Sequence, residues 1–116
     1  KNNPYRKFNY KGFDILVGKN NMQNDEITKN ARADDIWLHT RGIPGSHVII
    51  KCAGKEVPYD VILYAATVAA KYSRAKFSSN VGVDYTKKSN VYKPKGSKPG
   101  MVLYESYSTV FVTPVF

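Results

Sequence analysis

The sequence DDIWLHTRGIPGSHVII, residues 34–50, concentrates more chemically distinctive residues than any other part of the chain. It contains two acids, the only Trp, both His and an Arg among apolar residues, a mixture that a plain core strand does not need. Gly42, Pro44 and Gly45 allow the backbone to turn and to approach a ligand closely. The pattern therefore predicts a strand, a polar loop and a second strand, with the loop as a recognition surface.

The same stretch also resembles a family signature. D-x-W-L-H, followed after a short gap by P-G-S-H-V-I-I, is similar to the signature of NFACT-R, the RNA-binding module of the RqcH and NEMF family of ribosome quality-control factors. Those proteins were formerly labelled fibronectin-binding. Further phrases of the signature occur in the family's order at residues 18–21, 24–25, 95–102 and 112–114. The resemblance therefore covers nearly the whole chain.

The resemblance implies a non-catalytic module that grips tRNA on a large ribosomal subunit carrying a stalled nascent chain. Its partners would be tRNA, the RNA of the large subunit and other domains of a parent protein. In the family, the module accompanies an N-terminal NFACT domain, a helix-hairpin-helix and a coiled coil, and stand-alone relatives also exist. Tailing of the nascent chain is therefore not expected of these residues alone.

Length and composition predict one basic domain over residues 1–116, with enough apolar residues for one modest core. The net charge of +9 and the pI near 9.7 favour an anionic partner: RNA, DNA or an acidic membrane face. A soluble basic domain without such a partner would have the same composition, so charge alone leaves this choice open.

Cys52 is the only cysteine, which rules out an internal disulfide and fits a reducing, cytoplasmic compartment. Its apolar surroundings predict a buried structural thiol. The sequence has no window apolar and long enough to cross a bilayer and no secretory signal at its start, so we expect no membrane partner. Because the first residue is not Met, we expect a domain excised from a larger protein and monomeric as a fragment.

Periodicity predicts an α+β fold with the order β-β-α-β-β-α-β-β-β-β, in which two helices pack on a mostly antiparallel sheet. The predicted strands are residues 5–10, 13–17, 36–40, 47–53, 81–86, 90–93, 101–107 and 109–113. The first two strands form a hairpin around Lys11 and Gly12, and the last two close the chain as a second hairpin. The predicted helices cover residues 20–33 and 58–75.

Local sequence signals mark how each helix begins and which side faces the core. Asn24 or Asn21 is the expected N-cap of the first helix, with Ile27, Ala31 and Met22 facing inward. Pro58 opens the second helix. The apolar positions at helical spacing in the second helix are Val61, Ala65, Val68, Ala69 and Tyr72.

His39 and His47 raise the possibilities of metal binding and catalysis. A zinc site would need Asp34, Asp35 or Cys52 as further ligands, at no standard spacing, so we predict no metal site. A nucleophile such as Ser46 would need a base and an orienting acid, and no nucleophile elbow is present. We therefore predict no enzymatic activity and no cofactor. The two aspartates are expected to organise the loop by fixing Arg41 or a histidine.

Phosphate binding fits the polar loop better, because Gly-containing turns expose backbone N–H groups and Arg41 lies at the edge of the loop. A tight structural turn is an equally good interpretation. A second basic region, residues 87–98, combines lysines with two prolines that restrict its shape. Trp37 serves either as a core anchor or as a stacking platform. Four tyrosines are expected to be exposed for stacking on bases: Tyr85, Tyr92, Tyr104 and Tyr107.

The sequence thus favours an RNA-binding module. The candidate RNA-binding residues are Lys19, Asn20, Asn24, Trp37, His39, Arg41, Gly45, Ser46, His47, Lys87, Lys88, Lys93, Lys95 and Lys98. Two alternatives remain. One is an RNA-processing enzyme that uses His39, His47 and Asp35 as acid and base, and the other is a surface adhesion module that binds fibronectin.

Overall fold

A computed structural model describes residues 5–114, and its element order confirms the predicted α+β fold. Six strands form an antiparallel sheet with the spatial order β1-β2-β4-β3-β5-β8, and two short strands pair separately as β6-β7. The strands in chain order are β1 Arg6–Tyr10, β2 Phe13–Val17, β3 Ile36–Thr40, β4 Val48–Lys51, β5 Val81–Lys87, β6 Val91–Tyr92, β7 Leu103–Tyr104 and β8 Ser108–Val112. The helices are α1 Asn21–Lys29 and α2 Tyr59–Lys71.

The opening hairpin forms as predicted, with Tyr10 paired to Phe13 across the turn. Lys11 and Gly12 both adopt positive φ, 52° and 86°. Positive φ at both central residues belongs to the turn whose twist matches that of antiparallel strands. Lys11 is also held by an ion pair with Asp60, near the start of α2.

Helix α2 covers one face of the sheet and forms the larger core. Its alanines, Ala65, Ala66, Ala69 and Ala70, are all buried, so the helix axis can approach the sheet closely. Branched residues from the sheet fill this side, as alternation along the strands requires: Ile15, Val17, Leu38, Val48, Ile50, Val83 and Val110.

Helix α1 lies on the opposite face and covers a smaller core. Ile27 and Ala31 pack there with Trp37 and Ile49 from the sheet, and Val91 completes the cluster. Inward positions for Ile27 and Ala31 are confirmed, whereas Met22 is 75% exposed and that expectation was wrong.

Both helices are shorter than predicted, since α1 covers Asn21–Lys29 and α2 covers Tyr59–Lys71. Asn20 caps α1 by accepting the Gln23 N–H at 2.9 Å, so neither Asn21 nor Asn24 is the cap. Beyond the end of α1, Asp35 accepts the N–H of Arg32 and holds the chain in a turn. Pro58 precedes α2 as its N-cap, and the chain leaves the helix at Tyr72.

The predicted closing hairpin was wrong. Leu103 pairs with Tyr92 in the small sheet, whereas β8 pairs along β5 at the edge of the large sheet, with Val83 opposite Val110. A turn with Ser106 at φ 53° separates these two pairings. Neither helix within residues 5–114 has both the length and the apolar character that a bilayer-spanning helix requires.

Candidate nucleic-acid interface

The loop between β3 and β4, residues 41–47, is fastened to the end of α2. Ser46 donates its N–H to the Tyr72 carbonyl at 3.1 Å, and Arg74 donates its N–H to the Pro44 carbonyl at 3.0 Å. Gly45 lies so close to the helix end that a Cβ there would be 2.7 Å from the Ser73 Cβ. The loop is therefore a fixed structure, and glycine at position 45 is required by contact distance.

On one side of this loop lies a cleft of about 540 Å³, which we call the aromatic cleft. Its opposite wall is the segment from Lys98 to Val102. The residues that line it are Asn21, Trp37, His39, Gly42, Ile43, Pro44, Gly45, His47, Lys98, Pro99, Gly100, Met101, Val102 and Tyr104. Aromatic and aliphatic side chains dominate this lining.

On the other side lies a second cleft, also of about 540 Å³, which we call the basic cleft. Its lining residues come from the start of α1, the loop and the end of α2: Lys19, Asn20, Asn21, Asn24, Pro44, Gly45, Ser46, Tyr72, Ser73, Arg74 and Lys76. Three of them are cations, and within residues 5–114 none of the three has a carboxylate at ion-pair distance. The basic cleft is thus suited to bind phosphate groups.

His47, the last residue of the loop, is buried, and both nitrogens of its ring have a partner. Its Nδ1 accepts the indole N–H of Trp37 at 3.2 Å and lies 3.0 Å from the Thr28 Oγ1. Its Nε2 therefore carries the proton, which it donates to the Gly100 carbonyl at 3.1 Å. Burial, together with the nearby ring of His39, lowers the pKa of His47 from 6.5 to about 4. His47 is 2% exposed, so its side chain has almost no surface open to solvent.

Asn24 and Asp25 hold the surrounding segments together. The Asn24 Oδ1 accepts the His47 backbone N–H at 3.0 Å, and Asn24 is buried. The Asp25 Oδ1 accepts the Gly100 N–H at 3.0 Å, and its Oδ2 lies 3.3 Å from the Lys93 Nζ. Helix α1 thus fixes the distant wall of the aromatic cleft.

His39 lies on the same face of the sheet as Trp37, and their rings stack with centroids 5.9 Å apart. Burial lowers the pKa of His39, while backbone contacts with Gly45 and Thr40 and the charge of Asp84 oppose this effect. At neutral pH, His39 is therefore an uncharged aromatic ring at the surface of the aromatic cleft.

Asp84, opposite His39 on β5, is buried and was not predicted as a site residue. It accepts the Tyr104 Oη–H at 2.6 Å and the Thr109 Oγ1–H at 2.7 Å. Burial and the Asp84 hydrogen bond raise the pKa of Tyr104. The Tyr104 ring, 4.6 Å from that of Trp37, is thereby fixed within the aromatic cleft.

Arg41 is exposed at the entrance of the loop. Its Nη1 lies 3.4 Å from the Thr109 Oγ1, and its guanidinium carbon lies 5.8 Å from the centroid of the Tyr107 ring. Its backbone N–H donates to the Gly82 carbonyl. The side chain is thus supported from β8 while its charge stays open to solvent.

The C-terminal lysines do not form one surface. Lys87 pairs with Ile36 at the start of β3, whereas the loop follows the end of that strand, so Lys87 and Lys88 lie at the other end of the sheet. The Lys93 ammonium donates to the carbonyls of Lys98 and Met101, at 2.6 and 3.0 Å, besides its Asp25 contact. Lys98 lines the aromatic cleft and Lys95 is exposed.

The predicted exposure of four tyrosines is confirmed in part. Tyr92 and Tyr107 are 54% and 41% exposed. Tyr85 instead packs against the α2 core, and Tyr104 packs against the smaller core.

The alternative catalytic set and the zinc ligands considered above do not come together around the two histidines in the described residues. Asp35 lies at the start of β3, away from the histidines at its far end, and its carboxylate accepts from the Lys51 Nζ at 2.6 Å and the Cys52 N–H at 3.0 Å. Burial alone would raise the pKa of Asp35, but these bonds together lower it. Asp35, Asp34 and Cys52 are close to one another, yet the Asp35 oxygens already have partners. Asp35 does organise the chain, although not through Arg41 or a histidine.

Sequence reasoning missed Arg74 and Lys76, which line the basic cleft. Cations near the end of a helix are usually explained by the helix dipole, so their sequence position gave no reason to expect them in a cleft. The approach of the loop to the end of α2, which brings them to Lys19, is not encoded by any local pattern.

A basic α+β domain with cation-lined and aromatic clefts side by side is typical of nucleic-acid-binding proteins. The chain belongs to the NFACT protein RNA-binding domain family, whose model matches residues 4–106. This confirms the resemblance seen in the signature loop and identifies RNA as the class of ligand.

Relatives of known sequence and structure agree with this assignment. The Rqc2 homolog RqcH of Bacillus subtilis is 58% identical over 104 residues, which are 89% of this chain and 18% of that protein. Its counterpart in Streptococcus suis is 46% identical over 101 residues, again 18% of that protein. The C-terminal structure of the Streptococcus suis fibronectin/fibrinogen-binding protein superposes with a TM-score of 0.90 at 41% identity, covering 99% of this chain and 47% of that one. The chain thus spans about a fifth of the length of these RqcH proteins.

Proposed function

We propose that this domain grips tRNA on the large ribosomal subunit, as a non-catalytic part of a factor that acts in quality control of stalled nascent chains. The observation that carries the proposal is the basic cleft. Lys19, Arg74 and Lys76 converge beside the signature loop without carboxylate partners in the described chain, an arrangement that favours phosphate contacts. The ribosomal setting is taken from the RqcH relatives.

The non-catalytic role is supported by the state of the histidines. Both ring nitrogens of His47 are engaged within the protein, and Asp35 lies at the opposite end of β3. A general acid or base must reach the proton that it transfers, and His47 is not placed to do so.

The test compares tRNA, a matched DNA hairpin and fibronectin in binding assays with the domain. The triple variant Lys19→Ala, Arg74→Ala, Lys76→Ala should weaken tRNA binding by about tenfold or more at low salt. The matched control, Lys7→Ala, Lys11→Ala, Lys55→Ala, removes the same net charge away from the clefts and should have a much smaller effect. For the wild type, log affinity should fall with log salt with a slope of roughly −3 to −6.

Equal losses in the two triple variants would move the binding surface elsewhere. Binding to fibronectin without binding to tRNA would favour the adhesion alternative, which the name of the structural relative brings into consideration. Co-sedimentation with isolated large ribosomal subunits, with and without bound tRNA, tests the ribosomal setting separately.

A further inference from the structure

The two clefts differ in chemistry and share a wall. Asn21, Pro44 and Gly45 line both of them. We propose that the aromatic cleft receives a nucleobase turned out of its stack, while the basic cleft holds neighbouring phosphates of the same strand. This inference rests on the proposed RNA-binding function and makes an unstacked, single-stranded segment the preferred ligand.

The aromatic cleft offers a surface on which a base can stack. His39 and Tyr104 line it, and both pack on the buried ring of Trp37, with centroid distances of 5.9 and 4.6 Å. The hydrogen bond from Tyr104 to Asp84 fixes the ring before any ligand arrives. Stacking on aromatic side chains is how proteins hold unpaired bases.

The cleft also has an apolar side. Met101 is 55% exposed although it lines the cleft, and Ile43 and Val102 lie nearby in the lining. The loop and the segment from Lys98 to Val102 form two facing walls, so a flat ring could enter between them. An exposed apolar cleft on a basic domain is better explained by a flat aromatic ligand than by phosphate.

The number of cations in each cleft indicates whether that cleft receives a base or phosphates. Lys98 is the only cation among the described residues that line the aromatic cleft, whereas Lys19, Arg74 and Lys76 line the basic one. Bases in a regular duplex are stacked inside and cannot present a face to the aromatic cleft. A loop or a single strand can place a base on one side of the Pro44-Gly45 wall and its phosphates on the other.

The experiment uses a short single-stranded RNA and an RNA duplex of the same length. His39→Leu removes the aromatic face and should weaken single-strand binding about tenfold, since stacking of one base contributes an effect of that order. Duplex binding should stay within about twofold. His39→Phe keeps an aromatic ring and should retain single-strand affinity. Melting temperatures of both variants show whether the fold is intact.

A second measurement works on the unmodified protein. RNA carrying 4-thiouridine in the single-stranded segment, crosslinked by light and mapped by mass spectrometry, should mark His39, Met101 or Tyr104. Crosslinks confined to other surfaces would contradict base binding in the aromatic cleft, even if His39→Leu fails to fold.

The two proposals fail in different ways. If His39→Leu loses single-strand and duplex binding equally, or loses neither, the aromatic cleft does not bind a base. Such a result would leave the proposal of RNA binding itself in place. If the Lys19, Arg74, Lys76 triple variant binds every RNA as the wild type does, the proposed site of RNA binding is wrong.

Discussion

The indole N–H of Trp37 donates to the Nδ1 of His47 at 3.2 Å and so decides where the imidazole carries its proton. With Nδ1 as acceptor, Nε2 must be the protonated nitrogen, and it donates to the Gly100 carbonyl. Trp37 and His47 thus form a continuous chain of hydrogen bonds from the sheet to the wall of the aromatic cleft. This chain exists only while the His47 ring is neutral, because a protonated Nδ1 could not accept the indole N–H.

Acidification is expected to destabilise the domain. The ordinary pKa of His47 is 6.5 and its folded value is about 4, so between these values the unfolded chain binds a proton that the folded chain does not. The free energy of unfolding should therefore fall as pH decreases from 6.5 to 4, by about 3 kcal/mol in total. Urea unfolding at several pH values measures this directly. The range from pH 6.5 to 4.5 keeps the titration of carboxylates small.

His47→Gln is the control for this pH dependence, since glutamine is polar but does not titrate. The variant should flatten most of the slope, and the lowered pKa of His39 should leave a smaller slope of the same sign. An unfolding free energy that is constant or rises as pH falls through this range would contradict the depressed His47 pKa.

Gly45→Ala should separate the loop from the end of α2. The added Cβ would lie 2.7 Å from the Ser73 Cβ and 3.0 Å from the Thr40 Oγ1, so one side must move. We expect a loss of about 1–3 kcal/mol in stability, together with weaker RNA binding, because the loop divides the two clefts. Thermal melting and RNA titration report the two effects.

Adding Ser73→Gly to Gly45→Ala removes the closest contact and should restore part of the lost stability. The same Ser73→Gly change in the wild-type background serves as control, since it has no clash to relieve. Gly45→Ala with unchanged stability and binding would show that the loop is not held by this contact.

Lys93 and Lys98 should behave differently although both lie in the basic C-terminal loop. Lys93→Ala removes the ammonium that binds Asp25 and two carbonyls, so it should lower stability by about 1 kcal/mol. Lys98→Ala should leave the melting temperature unchanged and weaken RNA binding. If Lys93→Ala melts like the wild type and loses as much RNA affinity as Lys98→Ala, the lysine is a ligand contact instead.

Arg41→Ala should cost roughly 1–3 kcal/mol of RNA binding if its guanidinium makes a charge-assisted phosphate contact. Stability should change little, because the side chain is exposed and its bond to Thr109 is long, at 3.4 Å. Arg41→Lys keeps the charge but loses the fork geometry, so an intermediate affinity is expected. Wild-type binding by a normally folded Arg41→Ala protein would remove this residue from the site.

The fold was predictable where local patterns agree with long-range packing. The strands predicted at residues 13–17 and 36–40 match β2 and β3 to the residue, and Lys11-Gly12 correctly predicted the first hairpin. The segment after β6 misled the prediction, because two β-like runs separated by a short gap usually pair with each other. Here the pairing partners of Leu103 and Val110 lie in β6 and β5, and only tertiary packing decides that choice.

Part of the candidate site could be predicted from the loop between β3 and β4, whereas the residues that other segments bring to it could not. Residue chemistry and the resemblance single out His39 and Gly45, which line the clefts, and Arg41, which begins the loop between β3 and β4. Arg74 reaches the basic cleft only because the loop bonds to the end of α2, a contact between distant parts of the chain. Asp84 looked like an ordinary strand residue until its partners across the sheet were known.

The unequal cores on the two faces of the sheet have a dynamic consequence. The walls of the aromatic cleft rest on the smaller cluster around Trp37 and Val91, whereas α2 covers the larger one. Segments over a small apolar cluster open locally at a lower free energy than the global unfolding reaction. Amide hydrogens in α1 and around Gly100 should therefore exchange with solvent faster than those of α2 and the central strands. The walls of the aromatic cleft can then change shape while the core under α2 stays closed.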